Sequence, residues 1–155
     1  MMNVTIVAFG KIKNENSRVL AEEYLKRLKP YARIKIEELK SESFSNSKSG
    51  QEIAKKIEGE RLQNCLKNYS ESKIFLLAEK GKEMDSQSFS QSFGSSTQST
   101  VFVIGGALGF SSDIFNSYNK LSLSKLTFPH ELARVLLLEQ LYRASTISNL
   151  KTYHY

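Results

Sequence analysis

Glycines that close a buried strand bring backbone N–H and C=O groups against small molecules, and residues 101–110, VFVIGGALGF, have that form. Gly105 and Gly106 permit a close approach and φ angles that a Cβ would forbid. The spacing G-G-x-x-G is not the G-x-G-x-x-G of a dinucleotide-binding turn, which lies early in the chain with an acidic residue about 20 positions later. No Gly-Lys-Ser/Thr follows to make a phosphate loop. Taken alone, the run fits a tight strand-to-helix turn as well as a ligand wall. Metal chemistry is disfavoured, because one cysteine, Cys65, and two histidines, His130 and His154, leave too few soft ligands for zinc. A lone cysteine also excludes an internal disulfide and suits a reducing cytosol, so a cytoplasmic protein is expected.

Alternating strand and helix patterns must position that loop. NVTIVAFG (3–10) is a β-rich apolar run closed by glycine, and residues 16–30 carry Val19, Leu20, Tyr24, Leu25 and Leu28 at helical spacing before Pro30. Residues 33–39 alternate like a half-exposed strand, and the polar stretch 41–50 reads as a mobile loop. Residues 51–69 read as an amphipathic helix with Ile53, Ile57, Leu62, Leu66 and Tyr69 on its apolar face and Cys65 as a small filler. KIFLLAEKGK (73–82) reads as a buried strand leaving through a charged loop. A short helix follows around Phe89 and Phe93, and residues 100–106 are the most hydrophobic strand candidate. Residues 111–120 can form a short helix capped by Ser111 or Ser112. Residues 120–128 alternate apolar and polar side chains. PHELARVLLLEQLYRASTI (129–147) is the longest helix, with Pro129 suited to its first turn. The order predicts an α/β fold, one domain over residues 1–155, with a mainly parallel sheet and helices on both faces.

Composition supports this class. The 155 residues are 40% hydrophobic and 25% charged, enough for one core. No apolar run approaches the roughly 20 residues that span a bilayer, so no membrane association is expected. The N-terminus enters a strand pattern without a basic leader, which argues against a signal peptide. The net charge of +6 is concentrated in residues 1–80, with 16 Lys/Arg against 11 Asp/Glu. Such a face suits a polyanion such as RNA, and equally a solvated lysine-rich surface.

Three segments narrow the reading. VIGGALGFSSDIF (103–115), LSLSKLTFPHELARVLLLEQLYRA (121–144) and the terminal TYHY resemble the ribosomal large subunit methyltransferase H family. VTIVAFGKIK, EYLKRLKPY and LLAEKGK match in order and spacing, so the likeness covers the whole chain. The resemblance implies a SPOUT-class α/β fold whose C-terminal part threads a trefoil knot, and an obligate homodimer. It also implies S-adenosyl-L-methionine as cofactor and methylation of N3 of a pseudouridine in 23S rRNA on the assembled ribosome. Carried over by motif, the cofactor would contact Leu77, Gly105, Leu123, Ser124, Lys125, Leu126, Thr127 and Phe128. Leu123 and Leu126 would otherwise read as core packing. Helix 131–147, with Leu132, Val135, Leu136, Leu138, Leu141 and Tyr142, carries more apolar surface than one face requires. That pattern fits a dimer interface, or the central helix of a monomer.

The implied reaction requires loss of the imide proton, and His154, Tyr153 and Arg143 are the candidates to contact the base. His154 is expected to meet it and assist deprotonation, because a histidine titrates near working pH. Arg143 would hold a phosphate or the developing charge. His130 is expected to be structural, Glu139 and Gln140 to make buried hydrogen bonds, and Lys11, Lys13 and Arg18 to touch phosphates. Tyr155 stands where related sequences place a basic residue, which weakens an expected phosphate contact. Two alternatives stand beside this reading. One is a SPOUT enzyme for another rRNA or tRNA site, and the other is a non-catalytic nucleotide- or RNA-binding module.

Overall fold

The computed structural model describes residues 1–155. Its centre is a five-stranded, wholly parallel sheet in the order β2-β1-β4-β3-β5. The inner strands β1 (Met2–Phe9) and β4 (Thr100–Ile104) are almost continuously apolar, as a parallel strand covered on both faces must be. Every residue of β4 is buried, and in β1 only Asn3 is exposed. The edge strands β2 (Ala32–Leu39) and β5 (Asn119–Ser122) flank them, with β3 (Lys73–Glu83) between β4 and β5.

Parallel strands need crossovers, and helices supply them on both faces. The first face holds α1 (Glu15–Leu28), α3 (Ser86–Phe89), which runs on into a π-helical segment Ser90–Gly94, and α5 (His130–Ser148). These helices cover Val4, Ile6, Phe102 and Ile104 with Leu28, Phe89, Phe93, Leu137, Leu138 and Leu141. The second face holds α2 (Lys48–Leu66) and α4 (Ser112–Ser117), packed over Val7, Phe9, Leu76, Val101 and Val103. No helix is long and apolar enough to cross a membrane.

Several elements differ from the sequence expectation for identifiable reasons. Residues 48–50 of the expected loop are helical, because the Ser47 hydroxyl caps α2 by accepting from the Gly50 N–H at 3.1 Å. The buried stripe of α2 runs through Ala54, Glu58, Leu62, Cys65 and Leu66, one position on from Ile53, which is 61% exposed. On α1 the buried residues are Ala21 and Leu28, which turns Val19 and Leu20 toward solvent. β5 stops at Ser122: the Ser122 hydroxyl donates to the Ser124 carbonyl and the Leu126 N–H donates to Ser124 Oγ, turning the chain into a loop. Pro129 sits at the N-cap of α5, one residue before its first turn. β3 continues to Glu83 through a bulge. Its partner Leu121 pairs with both Leu77 and Lys82, and a Cβ on Gly81 would lie 2.6 Å from the Leu121 backbone.

Candidate active site

In open α/β sheets the carboxyl ends of neighbouring strands leave a crevice where ligands bind. Here β3 and β4 end side by side, and the chain leaving β5 wraps across them. Together they enclose a cavity of about 710 Å³. Leu77 and Glu79 come from β3, Gly105 to Phe110 from the loop after β4, and Phe115 from α4. Leu123, Ser124, Leu126, Thr127, Phe128 and Pro129 form the wall after β5, and His130 and Ala133 bring in the start of α5. Of the eight residues singled out for the cofactor, seven line this cavity. Lys125 does not; its side chain is 83% exposed and reaches Glu83 at 3.7 Å. Leu126 is 72% exposed on the cavity rim, an apolar side chain with no protein neighbour to cover it.

The glycine loop is shaped from behind. Gly106 and Gly109 close a tight turn, with the Gly109 N–H donating to the Gly106 carbonyl at 3.0 Å, and Gly109 adopts φ +73°. Gly106 lies against Glu58 of α2, where an added Cβ would stand 2.8 Å from Oε1. Glu58 is 6% exposed, and its Oε2 accepts from the Glu42 N–H at 3.0 Å. Sequence reasoning missed this residue. Its signal was a carboxylate standing inside the apolar stripe of α2.

Arg134 was missed in the same way. It is 4% exposed on α5, donating to the Gly10 carbonyl at 2.8 Å and to Glu38 Oε2 at 3.2 Å. It therefore fastens α5 to the ends of β1 and β2. Glu131 adds a second tie by accepting from the Lys13 and Asn14 N–H groups. The loop carrying Lys11 and Lys13 is thereby held beside the start of α5, which lines the cavity, and Arg18 follows on the first turns of α1. All three basic side chains are exposed.

The tail residues assemble elsewhere. Arg143 Nε donates to Glu139 Oε1 at 3.0 Å, its Nη2 donates to the same oxygen, and its Nη1 lies 3.1 Å from His154 Nδ1. The Tyr153 hydroxyl donates to Glu139 Oε1 at 3.2 Å and lies 3.3 Å from the Tyr24 hydroxyl. The Tyr153 ring packs edge-on against Tyr142 and under the Arg143 guanidinium. The hydrogen bond to Glu139 raises the Arg143 pKa, so its charge is secure. Burial, then Tyr24 and Glu139, hold the Tyr153 phenol well above the ordinary tyrosine range, so it stays protonated. Glu139 and Gln140 do bond to each other. At about 1.5 Å per residue, Arg143 lies roughly 20 Å along α5 from His130 at the cavity. The chain thus brings the cofactor candidates together and the tail candidates together, but does not bring the two sets to each other.

Comparison with known proteins agrees with this architecture. Residues 2–154 match the family described as "Predicted SPOUT methyltransferase". The chain is 42% identical to the ribosomal RNA large subunit methyltransferase H of Kosmotoga olearia, covering 99% of this chain and 100% of that protein. It is 38% identical to the protein of the same name from Bacillus cytotoxicus, covering 99% of each. A Bacillus anthracis crystal structure, described as a candidate RNA methyltransferase, superposes with a TM-score of 0.59 over 98% of this chain and 99% of that one. At 9% identity that likeness speaks to the fold. A candidate methyltransferase of Legionella pneumophila, solved with bound cofactor SAM, gives 0.51 at 14% identity over 92% of this chain and 66% of that one. With family motifs, full-length relatives and fold in agreement, this chain belongs to the ribosomal RNA large subunit methyltransferase H family of SPOUT methyltransferases.

Proposed function

We propose that the protein transfers a methyl group from S-adenosylmethionine to N3 of a pseudouridine in 23S rRNA, acting on the assembled ribosome. The observation that carries this reading is the single cavity into which the strand-end, glycine-loop and post-β5 residues converge. Its volume falls in the range of about 300–1,000 Å³ usual for small-molecule sites. The residues suit the cofactor. Leu77, Leu123 and the uncovered Leu126 offer apolar walls to a flat adenine, backbone groups of the 123–128 loop can read its edge, and nothing in the wall is built to cradle phosphate. When bound, the cofactor supplies an electrophilic methyl carbon, and the protein's task is to hold the two reactants in line about 3 Å apart.

The homodimer belongs to the same reading. The outer side of α5 retains Leu132, 40% exposed, with half-buried Leu136 and Ile147, while Val135, Leu138 and Leu141 are spent on the core. A two-fold contact through an antiparallel pair of these helices would set the tail of one protomer beside the cavity of its partner. Arg143, Tyr153 and His154 would then meet the target base, and Lys11, Lys13 and Arg18 the flanking phosphates. The C-terminal trefoil knot is part of this proposal, supported by the passage of the chain from β4 past β3 to β5 and by the contact between Gly81 and Leu121.

Ribosomes lacking the modification, incubated with enzyme and cofactor, should yield 23S rRNA fragments that carry one added methyl group on a pseudouridine by mass spectrometry. Tight cofactor binding with no such fragment would reject the substrate assignment.

A further inference from the structure

The tail cluster holds more order than an ion pair on a helix surface needs. An exposed pair four residues apart contributes little and holds neither side chain in one geometry. Here Glu139 Oε1 receives two N–H groups of Arg143 and the Tyr153 hydroxyl, and its Oε2 receives the Gln140 amide. The guanidinium is held from one side by Glu139 and covered by the Tyr153 ring, with its centre 4.9 Å from the ring centroid. Only Nη1 is left to point outward, and it meets His154 Nδ1 at 3.1 Å.

A guanidinium has five N–H donors and no acceptor. The nitrogen it faces must therefore offer a lone pair, and the single ring proton of a neutral imidazole is left on Nε2. We propose that Glu139 is a positioning residue that, by orienting Arg143, fixes His154 as the Nε2–H tautomer, so that His154 meets the target base as a hydrogen-bond donor to a carbonyl oxygen and not as its proton acceptor. This rests on the reading that His154 contacts the base. The N3–H of a pyrimidine imide lies between two carbonyls. As water takes the N3 proton, negative charge spreads onto those oxygens, and a donor already in place stabilises it. The groups facing the ring and its support are Arg143 and Glu139 of α5, Tyr153 of the tail and Tyr24 of α1, with Arg27 of α1 near Tyr24 and Tyr142. None of them offers Nδ1 a competing acceptor, so no nearby group favours the opposite tautomer.

The test uses the full-length protein labelled with ¹⁵N-histidine. With two histidines in the chain, a His130→Asn variant assigns His154. Long-range ¹H–¹⁵N spectra at pH 8 should show His154 with a protonated Nε2 and a lone-pair Nδ1, whereas Glu139→Gln and Arg143→Lys should both move it toward the averaged pattern of free histidine. An averaged or Nδ1–H pattern in the unaltered protein overturns the proposal, whatever the enzyme methylates. In turnover on ribosomes, His154→Gln, which keeps an N–H donor but is no base, should retain roughly tenfold more kcat than His154→Ala. Equal loss in the two variants overturns the donor role. Absence of methylation by the unaltered enzyme would reject the function proposed above and leave the tautomer to be read by NMR alone.

Discussion

Glu58 and Gly106 show how one contact can set a ligand wall from behind. Gly106 does not need glycine for its φ, which lies outside the left-handed region, unlike that of Gly109. What excludes a side chain is the Glu58 carboxylate, 2.8 Å from where a Cβ would stand. Gly106→Ala should therefore act as overpacking, at a cost of about 1–3 kcal/mol, and should displace the loop that carries Gly105. Removing the obstacle should undo part of the damage. Glu58→Ala alone leaves the Glu42 N–H without its acceptor, but combined with Gly106→Ala it should give a coupling of at least about 1 kcal/mol in the favourable direction. Urea unfolding of the two single variants and the double variant measures that coupling, and calorimetric titration with S-adenosylmethionine follows the pocket. Strict additivity would mean that Glu58 does not shape the loop.

At the scale of elements, α5 packs one side on the core and offers its other side to the proposed dimer, and the two roles should separate by mutation. Leu141 is fully buried against the sheet, so Leu141→Ala should lower stability by about 2–5 kcal/mol in thermal or urea unfolding. Leu132 is on the outer side, so Leu132→Glu should leave the unfolding of a protomer little changed but shift the mass in light scattering from dimer to monomer. A Leu132→Glu protein that stays dimeric would place the interface elsewhere. The identity of the elements was largely legible from the sequence. β1 and β4 are apolar runs that read as buried strands of a parallel sheet, whereas the cap at Ser47 lies inside the stretch expected to be a loop and was not read. Which side of a helix faces inward was less legible where apolar residues stand on adjacent stripes. Val19, Leu20 and Ile53 looked like core and are exposed, whereas Glu58 and Arg134, which the pattern did not single out, are buried, each held by a partner distant in sequence. The strand order was not legible at all, because it is set by pairings between segments far apart along the chain. The cavity residues were legible through family motifs, not through periodicity, since residues 123–129 form no regular element.

For the whole molecule, the decisive fact is the separation between cavity and tail. Arg143 lies roughly 15–20 Å along α5 from Ala133 and His130, the two residues of that rigid helix that line the cavity, so no rotamer change closes the gap. A helix of 19 residues spans about 28 Å, and an antiparallel copy would reverse the relation of its ends. In such a dimer each site would be built from two chains, a cavity from one and a tail from the other. Mixed dimers test this. Thr127→Trp should fill the cavity from an exposed loop position without disturbing the core, and His154→Ala should disable the tail. Either homodimer should be inactive or nearly so. After the two are unfolded together and refolded at equal concentration, random pairing makes half the dimers mixed, each with one intact cavity facing one intact tail. Methylation should then return to about a quarter of the unaltered rate per mole of protein. If tail and cavity served each other within one chain, every site in the mixed dimer would still lack one half, and no activity would return. Recovery or its absence, read by transfer of a labelled methyl group to ribosomes, decides whether the dimer is the catalytic unit or only the form in which the protein is stable.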